Sequence, residues 1–305
     1  MKFQVERDVL ADAVAWTARA LPARPAVPVL AGMHLAAGPQ LTLSTFDYEV
    51  SAQASVPVIT DEEGTVLVSG RLLAEIVRSL PARPVEMSTE GTRTTLKCGS
   101  AVFTLMTLPD DEYPTLPGMP PEAGAIGADV LASAIGQVAI AAGRDDTLPA
   151  LTGIRMELEG DTVNLVATDR YRLAVRELHW QPAKPDTSAA VLVPARVLVD
   201  AARSLTTAAE VAIALAPPGE DGAHGEGIIG FEGGGHFEAA DDHMVCVRQL
   251  NQSFESLFAH LRDLPLGVVT KLEQHQRRPL VVGEAPDVVE QLAQLLTAPD
   301  LIGHV

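Results

Sequence analysis

"DVLADAVAWTARALPARPAVPVLAGM" occupies residues 8–33, and "DVLASAIGQVAIAAGRDDTLPALTGI" occupies residues 129–154. The two stretches align without a gap. Asp8, Val9, Leu10, Ala11, Ala13, Ala18, Ala20, Pro28, Leu30 and Gly32 each recur 121 residues later. Ten identities in 26 positions exceed the roughly one or two that composition alone supplies. An internal repeat of this kind governs any local reading. A second pair extends it. "VLVSGRLLAEIVRSL" (66–80) returns as "VLVPARVLVDAARSL" (191–205), 125 residues on, with Val66, Leu67, Val68, Arg71, Leu73, Arg78, Ser79 and Leu80 matched. The repeating unit spans about 120 residues, too long for solenoid repeats of roughly 20–50 residues, so it reads as a duplicated domain.

Each copy has the order helix, strands, helix, strands. In 8–21, Leu10, Ala13, Val14, Thr17, Ala18 and Leu21 follow the spacing of one buried helical face, and Leu131, Ala134, Ile135, Val138, Ala139 and Ala142 repeat it. Asp8 and Asp129 are placed as N-caps, with carboxylates that accept from the first free amides. The period then changes to two in 41–58 and 162–178, as in strands with one buried face. Gly38–Pro39 and Glu159–Gly160–Asp161 supply turns. The predicted fold class is α+β, with two helices packed on antiparallel sheets in each domain.

The 305 residues allow about two domains. A 47% hydrophobic content excludes a disordered chain. No apolar run reaches the roughly 18 residues of a membrane span. Charges in MKFQVERD stand where a signal peptide needs its apolar stretch, so a cytoplasmic location is expected. Cys98 and Cys246 form no CxxC pair and read as two buried thiols in a reducing compartment. The formal charge is −18, from 22 basic and 40 acidic residues. That balance argues against nucleic acid unless the arginines are gathered on one face.

They are so gathered. On a wheel of 100° per residue with Arg71 at zero, Arg78 lies at about 340°, while Leu73, Ile76, Val77 and Leu80 lie between about 140° and 240°. Arg196 and Arg203 oppose Leu198, Ala201, Ala202 and Leu205 in the same way. The alternative is a pair of solvated faces, with Arg71/Glu75 and Arg196/Asp200 as weak i,i+4 pairs.

The motifs "RPAVPVLAGM", "RDDTLPALTGI", "VATDRYRLAV" and "VLVPARVL", in this order, resemble the bacterial sliding clamp family, the DNA polymerase III beta subunits. The similarity runs from Met1 to about Phe231–Gly233. It implies domains of one repeated kind arranged in a ring around duplex DNA, held without sequence-specific contact. It implies DNA contacts at Arg24, Arg71, Arg78, Arg196 and Arg203. It implies a peptide pocket for DNA polymerase III, clamp-loader subunits and other replication and repair proteins, with one wall at Leu151, Thr168, Arg172 and Leu173. On spacing alone, Leu151 and Leu173 read first as ordinary core residues of the sheet.

The resemblance gives domain I as 1–120, domain II as 121–258, and a shortened or divergent segment at 259–305. Three units of about 120 residues need about 360, so no full third domain is expected. The helix-like "DVVEQLAQLLTA" (287–298) fits either a remnant of one or an unrelated terminal helix. If a ring closes, a homo-oligomer is expected. The alternative is a clamp paralogue that forms no ring and acts as an interaction or regulatory module. His236, Glu238, Asp241, Asp242, His243 and Cys246 are the densest set of potential metal ligands, but they match no zinc signature, so no metal is expected. "LPDDEYPTLPGMPPEAG" (108–124) reads as a solvated linker. No catalytic set and no cofactor motif is found, as suits a protein that tethers rather than catalyses.

Overall fold

Gly32 pairs with Ser69 across one antiparallel ladder, and Gly153 pairs with Pro194 across another. Those four residues are the matched positions of the two repeated motifs, so the duplication read from sequence is a duplication of strand register. The computed structural model describes residues 1–145, 147–206, 208–216, 228–234 and 242–248. Its two compact units are built mainly on Met1–Pro120 and Pro121–Thr206, and Thr207–Ala214 and Gly230–Val247 join the first.

Unit 1 runs β1 (Lys2–Val5), α1 (Arg7–Thr17), β2 (Gly32–Ala37), β3 (Gln40–Phe46), β4 (Val50–Pro57), β5 (Ile59–Glu62), β6 (Gly64–Ser69), α2 (Gly70–Ser79), β7 (Val85–Glu90), β8 (Arg93–Cys98) and β9 (Ala101–Met106). Unit 2 repeats the first eight elements in order as β10 (Glu122–Gly127), α3 (Ala128–Val138), β11 (Gly153–Glu159), β12 (Thr162–Thr168), β13 (Leu173–His179), β14 (Gln181–Pro182), β15 (Ser188–Pro194) and α4 (Ala195–Ser204). Strands β16 (Glu210–Ala216), β17 (Ile228–Gly234) and β18 (Asp242–Arg248) follow. In unit 1 the order β4-β3-β2-β6 makes one antiparallel sheet and β5-β1-β7-β8-β9 the other. Unit 2 has β13-β12-β11-β15 and the β14–β10 pair in the same places. Strand β18 pairs with β4, Asp242 opposite Ser55 through Val247 opposite Val50.

The helices are held by the faces that spacing predicts. Leu10, Ala13, Val14 and Thr17 of α1 are buried, as are Leu131, Ala134, Ile135 and Val138 of α3. Burying each leucine contributes roughly 1.5–3 kcal/mol. Trp16 also enters the core, which the spacing did not indicate, and Ala18 leaves the α-helix for a 3-10 turn. Gly32 permits a close approach: a Cβ there would stand 2.7 Å from Leu67 Cδ1 and 2.8 Å from the Val29 carbonyl oxygen.

The cap assignment is corrected. Helix α1 begins at Arg7 with Glu6 at the cap position, and α3 begins at Ala128 with Gly127 there. Asp8 and Asp129 lie inside the first turns. Asp8 pairs with Arg7 at 2.7 Å, and Asp129 Oδ1 accepts from the Val130 amide at 2.8 Å. Strands β1 and β10 run almost directly into these helices, which moves both starts ahead of the aspartates. Their charge still favours the positive end of the helix dipole. Among the described residues no helix is long and apolar enough to cross a membrane. The segment 259–305, including 287–298, lies outside the described residues, as do His236, Glu238 and Asp241. For Asp242, His243 and Cys246 the backbone of β18 is described. Cys98 is buried, and its thiol donates to the carbonyls of Pro81 and Arg83, both at 3.3 Å.

Candidate functional site

Helix α2 buries Leu73, Ile76 and Val77 and exposes Arg71 and Arg78. Helix α4 buries Leu198, Ala201 and Ala202 and exposes Arg196 and Arg203. Each helix packs against the first helix of its own unit, so the arginines are turned outward by the same leucine and alanine contacts that fix the helix. Seven residues separate the arginines of each pair. That is about 10 Å along the axis at 1.5 Å per residue, and it spans roughly three base-pair steps of duplex DNA at 3.4 Å each.

The i,i+4 pairs of the alternative reading do not form. Neither Arg71 with Glu75 nor Arg196 with Asp200 makes an ion pair, and among the described residues the side chains of Arg78, Arg196 and Arg203 make no hydrogen bond or ion pair, although the Arg203 carbonyl accepts from the Thr206 hydroxyl at 2.9 Å. An exposed helical pair gains only about 0.3–0.5 kcal/mol, which ordering two long side chains readily offsets. Arg71 instead donates to the Pro22 carbonyl at 2.8 Å. This ties the loop that carries exposed Arg24 to α2, so Arg24, Arg71 and Arg78 belong to one side of unit 1.

A second site lies within unit 2. A cavity of about 620 Å³ is lined by Ala142–Asp145, Leu148, Leu151 and Asp169–Arg172. Of the four residues expected there, Leu151 and Arg172 line it. Thr168 and Leu173 are buried beside it, at 1% and 5% exposure. Thr168 acts on the cavity through the backbone: its hydroxyl donates to the Arg172 carbonyl at 2.7 Å and accepts from the Arg170 amide at 3.3 Å.

The wall from Asp169 to Arg172 is a tight turn. Asp169 Oδ1 accepts from the Tyr171 and Arg172 amides at 3.1 and 2.9 Å, and Oδ2 accepts from the Arg172 guanidinium at 2.7 and 3.0 Å. Burial pushes the Asp169 carboxyl up, but the Arg172 guanidinium and the two amides together outweigh it and hold the group below its ordinary value. Arg170 sits at φ 79°, a left-handed conformation that costs a non-glycine residue about 1–2 kcal/mol. The Asp169 bonds stabilise it. Unit 1 has the same turn: Tyr48 at φ 74°, with Asp47 Oδ1 accepting from Glu49 and Val50 at 3.1 and 2.8 Å. The repeat thus reaches down to one dihedral angle.

The cavity floor is apolar at Ala142, Leu148 and Leu151. Its rim carries the guanidiniums of Arg144, Arg170 and Arg172 beside the carboxylates of Asp145 and Asp169. Arg172 is already engaged by Asp169. Hydrogen bonds from Thr147 hold Asp145 in its charged form, with Arg170 adding a smaller attraction. Such a place suits a short segment with apolar anchors and carbonyl or carboxylate oxygens for the rim. Sequence reasoning missed Arg144, Leu148, Arg170 and Tyr171. A signal existed in the aspartate shared by "TFDYE" and "ATDRYR". Among the described residues no cluster of three or more metal-ligating side chains is found.

Residues 1–117 match the family model of the DNA polymerase III beta subunit N-terminal domain, and residues 125–245 match that of its central domain. The chain belongs to the DNA polymerase III beta subunit family. It is 62% identical over 236 residues to the beta sliding clamp of Streptomyces coelicolor, which covers 77% of this chain and 62% of that protein. It is 44% identical over 236 residues to the beta sliding clamp of Micrococcus luteus, covering 77% of this chain and 74% of that protein. The chain therefore spans less than two thirds of the Streptomyces clamp. The crystal structure of a Pseudomonas aeruginosa sliding clamp bound to griselimycin superposes with a TM-score of 0.71 at 28% identity, over 87% of this chain and 68% of that one.

Proposed function

We propose that this chain is a DNA sliding clamp, a non-catalytic processivity factor that encircles duplex DNA as part of a closed oligomer and tethers DNA polymerase III to it. The observation that carries this reading is the pair of matched arginine faces on α2 and α4. Arg24, Arg71, Arg78, Arg196 and Arg203 meet phosphates rather than base edges, so binding is indifferent to sequence and falls with salt. The chain as a whole carries a net charge of −18, so the surface away from these arginines is acidic, repels the duplex and opposes any other docking geometry. The unit 2 cavity takes short apolar segments of the polymerase, clamp-loader subunits and other replication and repair proteins. Leu151 supplies floor, Thr168 fixes the turn, Leu173 is buried beside the cavity, and Arg172 supplies the polar rim. Family membership supports both parts, and no reaction is assigned to the chain.

The test is titration of the chain with several unrelated duplexes of equal length. Affinities that agree within about threefold and fall together with salt support the reading. Selection of one sequence by about 10³ or more, or no binding at low salt, overturns it.

A further inference from the structure

The two units differ at the place of the cavity. In unit 2 the cavity is open among the described residues, whereas in unit 1 the corresponding place is filled by the chain itself. Leu30 is the repeat partner of Leu151, and Asp47 of Asp169. Leu30 forms an apolar cluster with Val29 and Leu67, and Leu108 and Tyr113, from the segment after β9, pack against that cluster. The Tyr113 hydroxyl accepts from the amide of Phe46, the residue before Asp47, at 2.8 Å. Leu108 donates its amide to the Leu67 carbonyl at 2.8 Å.

Between the two anchors the segment folds on itself and is pinned at its middle. The Tyr113 amide donates to the Asp110 carbonyl at 3.1 Å. The Asp110 carboxylate lies 3.5 Å from His34 Nε2 and accepts from the Thr65 hydroxyl at 3.5 Å. The His34 ring stacks on Tyr113 with centroids 6.3 Å apart and planes 14° from parallel. The expectation of a solvated linker at 108–124 is therefore corrected for 108–113: two apolar anchors, five residues apart, sit in a groove and bring their own polar contacts. The rim also differs. Ala23, Tyr48 and Val50 stand where unit 2 has Arg144, Arg170 and Arg172, so the unit 1 groove makes no demand for a carboxylate at its edge.

We propose that unit 1 carries a second peptide groove, the duplicate of the unit 2 cavity, held shut by Leu108–Tyr113 acting as a tethered ligand. Its ligand class is an extended segment that offers a leucine and, five residues later, a tyrosine. A competing segment binds only to the fraction of molecules whose strap is out, so its apparent affinity is reduced by that fraction. The duplication then has a functional consequence: the unit 1 copy is self-occupied, while the unit 2 copy is open among the described residues. The inference rests on reading the unit 2 cavity as a peptide site, and the experiment separates the two.

The probe is a labelled synthetic peptide of residues 106–115, MTLPDDEYPT, titrated into the full chain. In the L108A/Y113A chain, checked for folding by its melting transition, one peptide binds per chain, about tenfold or more tighter than to wild type. A peptide with alanine at the leucine and tyrosine positions does not bind. Adding Leu151→Asp, which spoils the unit 2 cavity, leaves the titration unchanged. If Leu151→Asp abolishes it, the peptide sits in unit 2; the unit 1 groove is then refuted while the unit 2 site stands. Equal affinity for wild type and variant also overturns the proposal. If the double alanine chain fails to fold, D110N/Y113F keeps both apolar anchors but loses the His34 pair and the Phe46 bond. It should bind the peptide about threefold or more tighter than wild type, and no gain is refutation.

Discussion

Replacing Arg78 and Arg203 by alanine removes one arginine from each basic face at matched positions. Both are exposed, and neither side chain has a partner among the described residues. The fold should therefore be indifferent to their loss, with stability within about 0.5 kcal/mol of wild type. The effect on DNA is larger and can be worked out in advance. Five arginines that each neutralise one phosphate give a salt slope of about −4.5, at roughly −0.9 per contact. Between 50 and 200 mM salt, a fourfold change, wild type then loses affinity by about 500-fold. The double variant keeps three contacts, has a slope of about −2.7, and loses only about 40-fold. Anisotropy titrations of a short duplex over that salt range measure both slopes. A double variant that binds with the wild-type slope would show that DNA does not lie against α2 and α4. A variant that melts well below wild type would show that these arginines serve the fold instead.

Other parts of the account are open to equally direct checks. Gly32→Ala forces a methyl to within 2.8 Å of the Val29 carbonyl oxygen, and a destabilisation of about 1–3 kcal/mol should appear in denaturant unfolding. Arg170→Gly relieves the left-handed residue at φ 79° and should raise stability by about 0.5–1 kcal/mol. The same change deletes a rim guanidinium, so it should weaken capture of an acidic peptide; loss of stability would contradict the turn geometry. Asp169 is held below its ordinary value by Arg172 and two amides. Its contribution is present above about pH 4, the ordinary carboxylate range, and is lost as pH falls through the lower folded value. Melting temperatures should thus fall more steeply with acid for wild type than for D169N. Burial, with a smaller push from Asp47, raises the Tyr113 hydroxyl to about 12. The neutral phenol's contribution is intact below about pH 10 and is lost as pH rises through 12. Ultraviolet titration should show this late phenolate step, and it should vanish in Y113F.

Much of this was legible because the chain states its fold twice. Leu10 and Leu131, or Leu73 and Leu198, gain meaning from recurrence at matched positions, and the outward turn of Arg71, Arg78, Arg196 and Arg203 follows from helical spacing alone. The cavity was less legible. Leu151 and Arg172 came from family resemblance, and the residues it missed depend on backbone conformation. The arginine at φ 79° follows from an aspartate-anchored turn, and its only trace in the sequence is the aspartate shared with the turn at Tyr48. The helix starts were misplaced because aspartate favours both the cap position and the first turn, and spacing does not distinguish them. The strap was misread for a related reason. "LPDDEYP" has the composition of a solvated loop, and only the folded groove at Leu30 and Leu67 shows what Leu108 and Tyr113 are for.

The most direct test of the central claim is topological. The protein is assembled with the clamp loader on a nicked circular duplex, passed through a sizing column in high salt, and counted on the DNA before and after the circle is cut once. A chain that encircles DNA stays on the closed circle and is lost from the linear form, although the same phosphates are present in both. Equal retention on both forms would mean that the chain is held by contact alone, and the clamp reading would be wrong.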